Sequence, residues 1–229
     1  QAAPWARLGI ARAQMAAGEN TAAVRTLEAL LAEQPSYVDA HDVMGRLRFE
    51  QGQHAAAIEA CRLAVALTPG SVGRLQKLGL LAFLFGDAQE AARALDRAVS
   101  QGVGSKMFDP LTLVLLAFLR FRQQDTKGVQ RCAENLAHAL ARSEGLARLQ
   151  RMGRIVEGLN LMLLQRPDDA LALLRELGAE SLQDDFDLEA ACNLLMLAGQ
   201  IAAAGVAIEG ADDWVDSVGL RYCSSKAHT

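Results

Sequence analysis

Residues 41–69 read HDVMGRLRFEQGQHAAAIEACRLAVALTP, and residues 75–103 read LQKLGLLAFLFGDAQEAARALDRAVSQGV. Laid over one another, Gly45, Gly52, Ala57, Ala64 and Pro69 of the first stand 34 residues before Gly79, Gly86, Ala91, Ala98 and Val103 of the second. Ala11, Gly18, Ala23, Leu30 and Pro35 stand 34 residues earlier again. Small residues at set points, with proline at two of the three unit ends, are what stacked helix-turn-helix units need, because each unit buries its apolar face only against a neighbour.

Before these two stretches, Trp5, Leu8, Ile10, Ala11 and Met15 recur at helical spacing, and Gly18 ends this first helix. Asn20 or Thr21 is the expected cap of the second helix, which stops at Pro35. The second unit breaks at Gly52; the third begins at Ser71 and breaks at Gly86 and Asp87. Ala11, Gly45 and Gly79 fall on first helices and Ala23, Ala57 and Ala91 on second helices, at the expected crossings, where a larger side chain would force the axes apart. Arg62 reads as an outward position indifferent to substitution.

These residues, with Leu78, resemble the tetratricopeptide repeat pattern over roughly the first 105 residues. The sequence departs from that pattern where the family usually carries tryptophan and tyrosine, with Arg7 and Gln14, His41 and Arg48, and Leu75 and Ala82 in those places. The resemblance implies an all-α, right-handed superhelical solenoid. The expected organisation is a single solenoid with three regular repeats over 1–105, two divergent repeats over 106–182 and terminal capping helices over 183–229. The fourth unit, Leu111 to about Arg142, is displaced by a four-residue insertion. Glu144 to Leu164 and Pro167 to Leu177 make the fifth, and Leu188 to Ala204 and Asp212 to Lys226 the cap.

In this family the first helices line a concave face that binds a peptide or helix of another protein. Carried over by position, that face takes Leu8, Arg12 and Met15 from the first unit and Asp39, Asp42, Arg46 and Phe49 from the second. Gln76, Leu80 and Phe83 follow from the third, and Val114, Phe118, Phe121 and Arg122 from the fourth. Phe49, Phe83 and Phe121 share one repeat position, and a row of rings flanked by arginines suits an amphipathic segment bearing acidic groups. The alternative is that the same rings are core between adjacent first helices. Asp42, Arg46, Gln76 and Leu80 stand where some relatives grip a terminal carboxylate with lysine and asparagine, so a clamp of that type is not expected.

A narrower resemblance is to the tetratricopeptide half of bacterial response regulators that carry a receiver domain in front. It rests on the opening 4–13 (PWARLGIARA), the loop 104–110 (GSKMFDP) and the end 219–227 (GLRYCSSKA). Gln1 is not a natural start, which fits a piece of a longer protein; no phosphoacceptor pocket can be assigned within the chain. The resemblance implies that the piece is the output arm of a two-component protein in the cytoplasm.

Net charge of -4 offers no basic field for a nucleic-acid backbone, and the apolar runs fall short of the roughly 20 residues of a spanning helix. Cys61, Cys132, Cys192 and Cys223 are scattered, with no CxxC pair; the first three read as small buried hydrophobes of a reducing compartment. His41, His54, His138 and His228 have no carboxylate partner at ligand spacing, so no metal or cofactor is expected. Asp168-Asp169, Asp184-Asp185 and Asp212-Asp213 precede helices, where carboxylates act as caps and not as catalytic pairs. The expectation is therefore a non-enzymatic protein-binding scaffold. A rival expectation is self-association through Leu111 to Leu119 and Trp214 to Tyr222.

Overall fold

The computed structural model describes residues 3–141, 147–166 and, beyond them, 168–170, 172, 173 and 176. Every regular element among these residues is helical. The chain divides into two compact units, Gln1–Thr112 and Leu113–Thr229.

Unit 1 is three helical hairpins: α1 (Pro4–Ala16) with α2 (Asn20–Glu33), α3 (Val38–Glu50) with α4 (His54–Leu67), and α5 (Val72–Phe85) with α6 (Ala88–Gly102). First helices start at 4, 38 and 72 and second helices at 20, 54 and 88, so each hairpin repeats its predecessor after 34 residues. Pro4 opens α1, where its missing N–H costs no helical bond. The helix breaks fall at the three expected places, yet their chemistry differs. Gly18 and Gly52 take positive φ, +76° and +73°, and close the same two-bond turn: Gly18 and Gly52 donate to Met15 and Phe49, and Glu19 and Gln53 to Gln14 and Arg48. The third break is not left-handed; Gly86 donates to Ala82, and Asp87 caps α6 by accepting from the Gln89 and Glu90 amides. Neither Asn20 nor Thr21 caps α2: the residue at that place is Glu19, and its side chain makes no cap bond.

The small residues lie where the pattern puts them, Ala11, Ala23, Gly45, Ala57, Gly79 and Ala91 all being buried. A Cβ at Gly45 would sit 3.4 Å from Cys61 Sγ and 3.5 Å from the Ala57 carbonyl, in ordinary contact across α3 and α4. At Gly79 it would fall 2.6 Å from Leu95 Cγ on α6, which no packed carbon tolerates. Around these crossings Leu27, Leu30 and Leu47 form one apolar cluster and Ile58, Leu75 and Leu78 another.

Ion pairs reach between hairpins. Arg48 on α3 meets Glu28 on α2 at 3.1 Å, and Arg74 on α5 meets Asp39 and Asp42 on α3 at 3.0 and 2.7 Å. Arg62 does point outward, but it is not an idle position: it pairs with Glu59 and, through two nitrogens, with Glu90 on α6. His41 is a core histidine, its Nε2 donating to the Pro35 carbonyl at 2.7 Å.

The described part of unit 2 continues from α7 (Leu111–Arg122), which starts at the unit boundary, into α8 (Thr126–Ala141) and α9 (Ala147–Leu163). Asp125 accepts from the Gly128 amide at 2.9 Å to cap α8, and α8 packs on α9. The turns after α7 and α9 repeat the two-bond closure of Gly18 and Gly52, with Gln124 and Gln165 in the left-handed residue's place, both at φ +58°. Of the stretch Leu111 to Leu119 expected to self-associate, Leu111 is half-buried and residues 112–119 are buried, so at most one of its apolar side chains meets solvent. The expected capping helices over 183–229, with Cys192, Cys223, Trp214 to Tyr222, the later aspartate pairs and His228, lie outside the described residues, as does most of the second helix of the fifth unit.

Candidate functional site

The first helices of unit 1 enclose an open cleft of about 480 Å³. Helix α1 contributes Arg12, Met15 and Ala16 at one-turn spacing. Helix α3 contributes Asp42, Val43, Arg46 and Glu50, and α5 contributes Lys77. The cleft exists because the 34-residue register returns the same helix face to the same side in successive hairpins. Four of the expected groove residues therefore converge here: Arg12, Met15, Asp42 and Arg46.

The charges are unevenly matched. Asp42 is bound by Arg74, Nε to Oδ2 at 2.8 Å, and Arg46 holds Glu50 at 2.7 Å along α3. Lys77 donates to the Asp42 carbonyl at 3.3 Å. The hydrogen bond to Asp42 holds the Arg74 guanidinium above its ordinary pKa, with burial opposing in part. Cys61, buried on α4 against Gly45, feels the same charges: burial pushes its thiol pKa up, Lys77 draws it back and Asp42 adds to the rise.

The remaining expected groove residues separate. Gln76 is half-buried and donates through Nε2 to the Asp109 carbonyl at 3.0 Å and to the Thr112 hydroxyl at 2.6 Å, tying α5 to the start of α7 and the residue two before it. Leu80 and Phe83 are half-buried, and Arg122 is exposed at the end of α7. Phe118 and Phe121 are 2% and 7% exposed, so these two rings are core and cannot meet a ligand from this conformation. Phe49, at the same repeat position as Phe121, is 41% exposed. The row of three equivalent rings therefore does not exist as one surface.

Phe49 instead pairs with Phe85, ring centroids 6.1 Å apart and nearly perpendicular. His54 stacks on Phe85 at 3.8 Å and stands 5.7 Å from Phe49, and Phe85 is itself 45% exposed. Sequence reasoning missed His54 and Phe85 because they occupy helix ends whose equivalents in the other hairpins, Asn20 and Ala88 for the one and Ala17 and Gln51 for the other, carry no ring. It missed Lys77 and Glu50 too, although Glu50 stands one turn beyond Arg46 on the same face of α3, a signal that helical spacing carries.

Among the described residues no group of three or more histidine, cysteine, aspartate or glutamate side chains is placed to hold a metal, and no helix is long and apolar enough to cross a membrane.

Residues 8–72 match the family model described as tetratricopeptide repeat. Solved structures with a similar fold include the type IV pilus biogenesis factor PilW, at TM-score 0.58 and 17% identity over 92% of this chain and 90% of that one. A MamA protein follows at TM-score 0.55 and 19% identity, over 76% of this chain and 92% of that one. PilF of Pseudomonas aeruginosa gives 0.53 and 16%, over 99% and 97%. At such identities the likeness is one of fold. No curated protein matches the sequence. Residues 8–72 carry the tetratricopeptide signature, and the described residues fold as the all-α helix-turn-helix repeats of that type.

Proposed function

We propose that the chain is a non-enzymatic interaction scaffold whose unit 1 cleft receives a segment of a partner protein. The supporting observation is the cleft itself: side chains from three successive first helices line a space of about 480 Å³, large enough for several residues of a peptide. A photo-crosslinking residue at Met15, in the full chain and in cells of its source, tests this. The expected result is a discrete crosslinked partner from Met15 and none from an exposed position on a second helix, such as Arg93. No crosslink from Met15, or equal crosslinks from both positions, overturns it.

The finer reading is that the scaffold is the cytoplasmic output arm of a response regulator. It draws on the resemblance of 4–13, 104–110 and 219–227 to that group. Reading the coding sequence upstream of Gln1 tests it, and a frame without a receiver domain overturns it.

A further inference from the structure

The cleft of unit 1 holds both signs of charge: both of its anions are paired with an arginine, whereas of its three cations only Arg46 is paired with a carboxylate among the described residues. Asp42 meets Arg74 at 2.7 Å and Glu50 meets Arg46 at 2.7 Å. Arg12 and Lys77 line the same space, and neither meets a carboxylate among the described residues. Lys77 spends one donor on the Asp42 carbonyl at 3.3 Å, and among the described residues its other two N–H groups and all five of Arg12 meet no hydrogen-bond partner. A basic segment entering here would meet carboxylates whose charge is already matched, Asp42 by Arg74 and Glu50 by Arg46. An acidic one would find two cations waiting. One residue along α3 from cleft-lining Glu50, the exposed edges of Phe49 and Phe85 supply apolar surface held in a fixed pair.

We propose that the cleft selects a partner segment bearing an aspartate or glutamate side chain, its carboxylate held by Arg12 and Lys77 and an adjacent apolar side chain laid on Phe49 and Phe85. This rests on the reading of the cleft as a docking site. Charge-assisted hydrogen bonds from the two cations give the carboxylate its preference, and the aromatic pair adds area at little entropic cost because its rings are already packed on His54.

A phage-displayed library of random 12-residue peptides, panned on the immobilised full chain, is the test. The peptides are fused at their C-termini, so the carboxylates on offer are those of side chains. Enriched sequences are expected to carry Asp or Glu beside Leu, Ile, Phe or Trp. Synthetic versions should lose about tenfold in Kd or more against Arg12→Glu, the size of one charge-assisted bond. Lys77→Gln and Phe49→Ala should each cost about threefold to tenfold. Arg12 has no contact to break, so the thermal midpoint of Arg12→Glu should equal that of the parent. Enrichment without an acidic preference, or binding indifferent to Arg12→Glu, overturns the charge selection and leaves docking standing. A library that enriches nothing overturns the docking reading and this proposal with it.

Discussion

Two of the three hairpin turns of unit 1 and the two described turns of unit 2 reach one geometry by different residues. After α1 and α3 the left-handed position is Gly18 or Gly52; after α7 and α9 it is Gln124 or Gln165, with the same pair of backbone hydrogen bonds. A glutamine there accepts a strain of about 1–2 kcal/mol that glycine escapes. The comparison shows that the turn does not require glycine, which only makes the left-handed position cheap.

That comparison can be broken in several ways. The largest effect belongs to the crossings. Gly79→Ala should cost about 1–3 kcal/mol, because Leu95 is fully buried and cannot swing clear of the new Cβ, and Gly79→Leu should cost more. Gly45→Ala, with nothing nearer than 3.4 Å, should cost well under 1 kcal/mol. Urea midpoints that rank Gly45→Ala at or above Gly79→Ala would refute the crossing geometry.

The turns come next. Gly52→Ala has open space around it but a φ of +73°, so it should destabilise by about 1 kcal/mol. Gln124→Gly should do the reverse and raise the midpoint by the equivalent of about 0.5 kcal/mol, the relief of strain less the extra chain entropy of glycine. If both changes act with the same sign, the two turns are not equivalent.

Smaller again is the inter-hairpin bridge. Arg74→Ala removes the link from α5 to Asp39 and Asp42 and should cost about 1 kcal/mol at low salt, less as salt rises. A loss that does not shrink with salt would locate Arg74's role in packing.

The smallest effect is chemical. Cys61 should alkylate slowly in the folded chain at neutral pH, because burial both shields the thiol and raises its pKa above the ordinary 9.0. The folded-state pKa lies above the unfolded one, so the neutral thiol's share of stability is intact below about pH 9 and declines as pH climbs through the raised value. Peptide mapping after iodoacetamide treatment reads this directly; rapid labelling of Cys61 at pH 7 would show that α4 opens.

Much of unit 1 was legible in advance because its determinants are local. Apolar spacing marked the helices, and the residues at 18, 52 and 86 stand at the breaks that end α1, α3 and α5. The candidate site was legible only in part. Arg12, Met15, Asp42 and Arg46 line one cleft as repeat position implies, whereas Phe49 and Phe121 share a position and end in opposite environments, one half in solvent and one in the core. Repeat position states which way a side chain points relative to its own hairpin; whether it meets solvent depends on neighbours far along the chain.

Helix boundaries, the 34-residue stacking register and the small residues at each crossing follow from the order of amino acids, since each depends on side chains within a turn or two or on backbone preferences at one residue. Which rings are buried, which carboxylates are already claimed and which cations stay free were decided by contacts such as Arg74 with Asp42 and Arg62 with Glu90, 32 and 28 residues apart. Charge pairing at that separation is a property of folded geometry, because nothing in the local sequence of Arg12 or Arg74 distinguishes the unpaired guanidinium from the bound one.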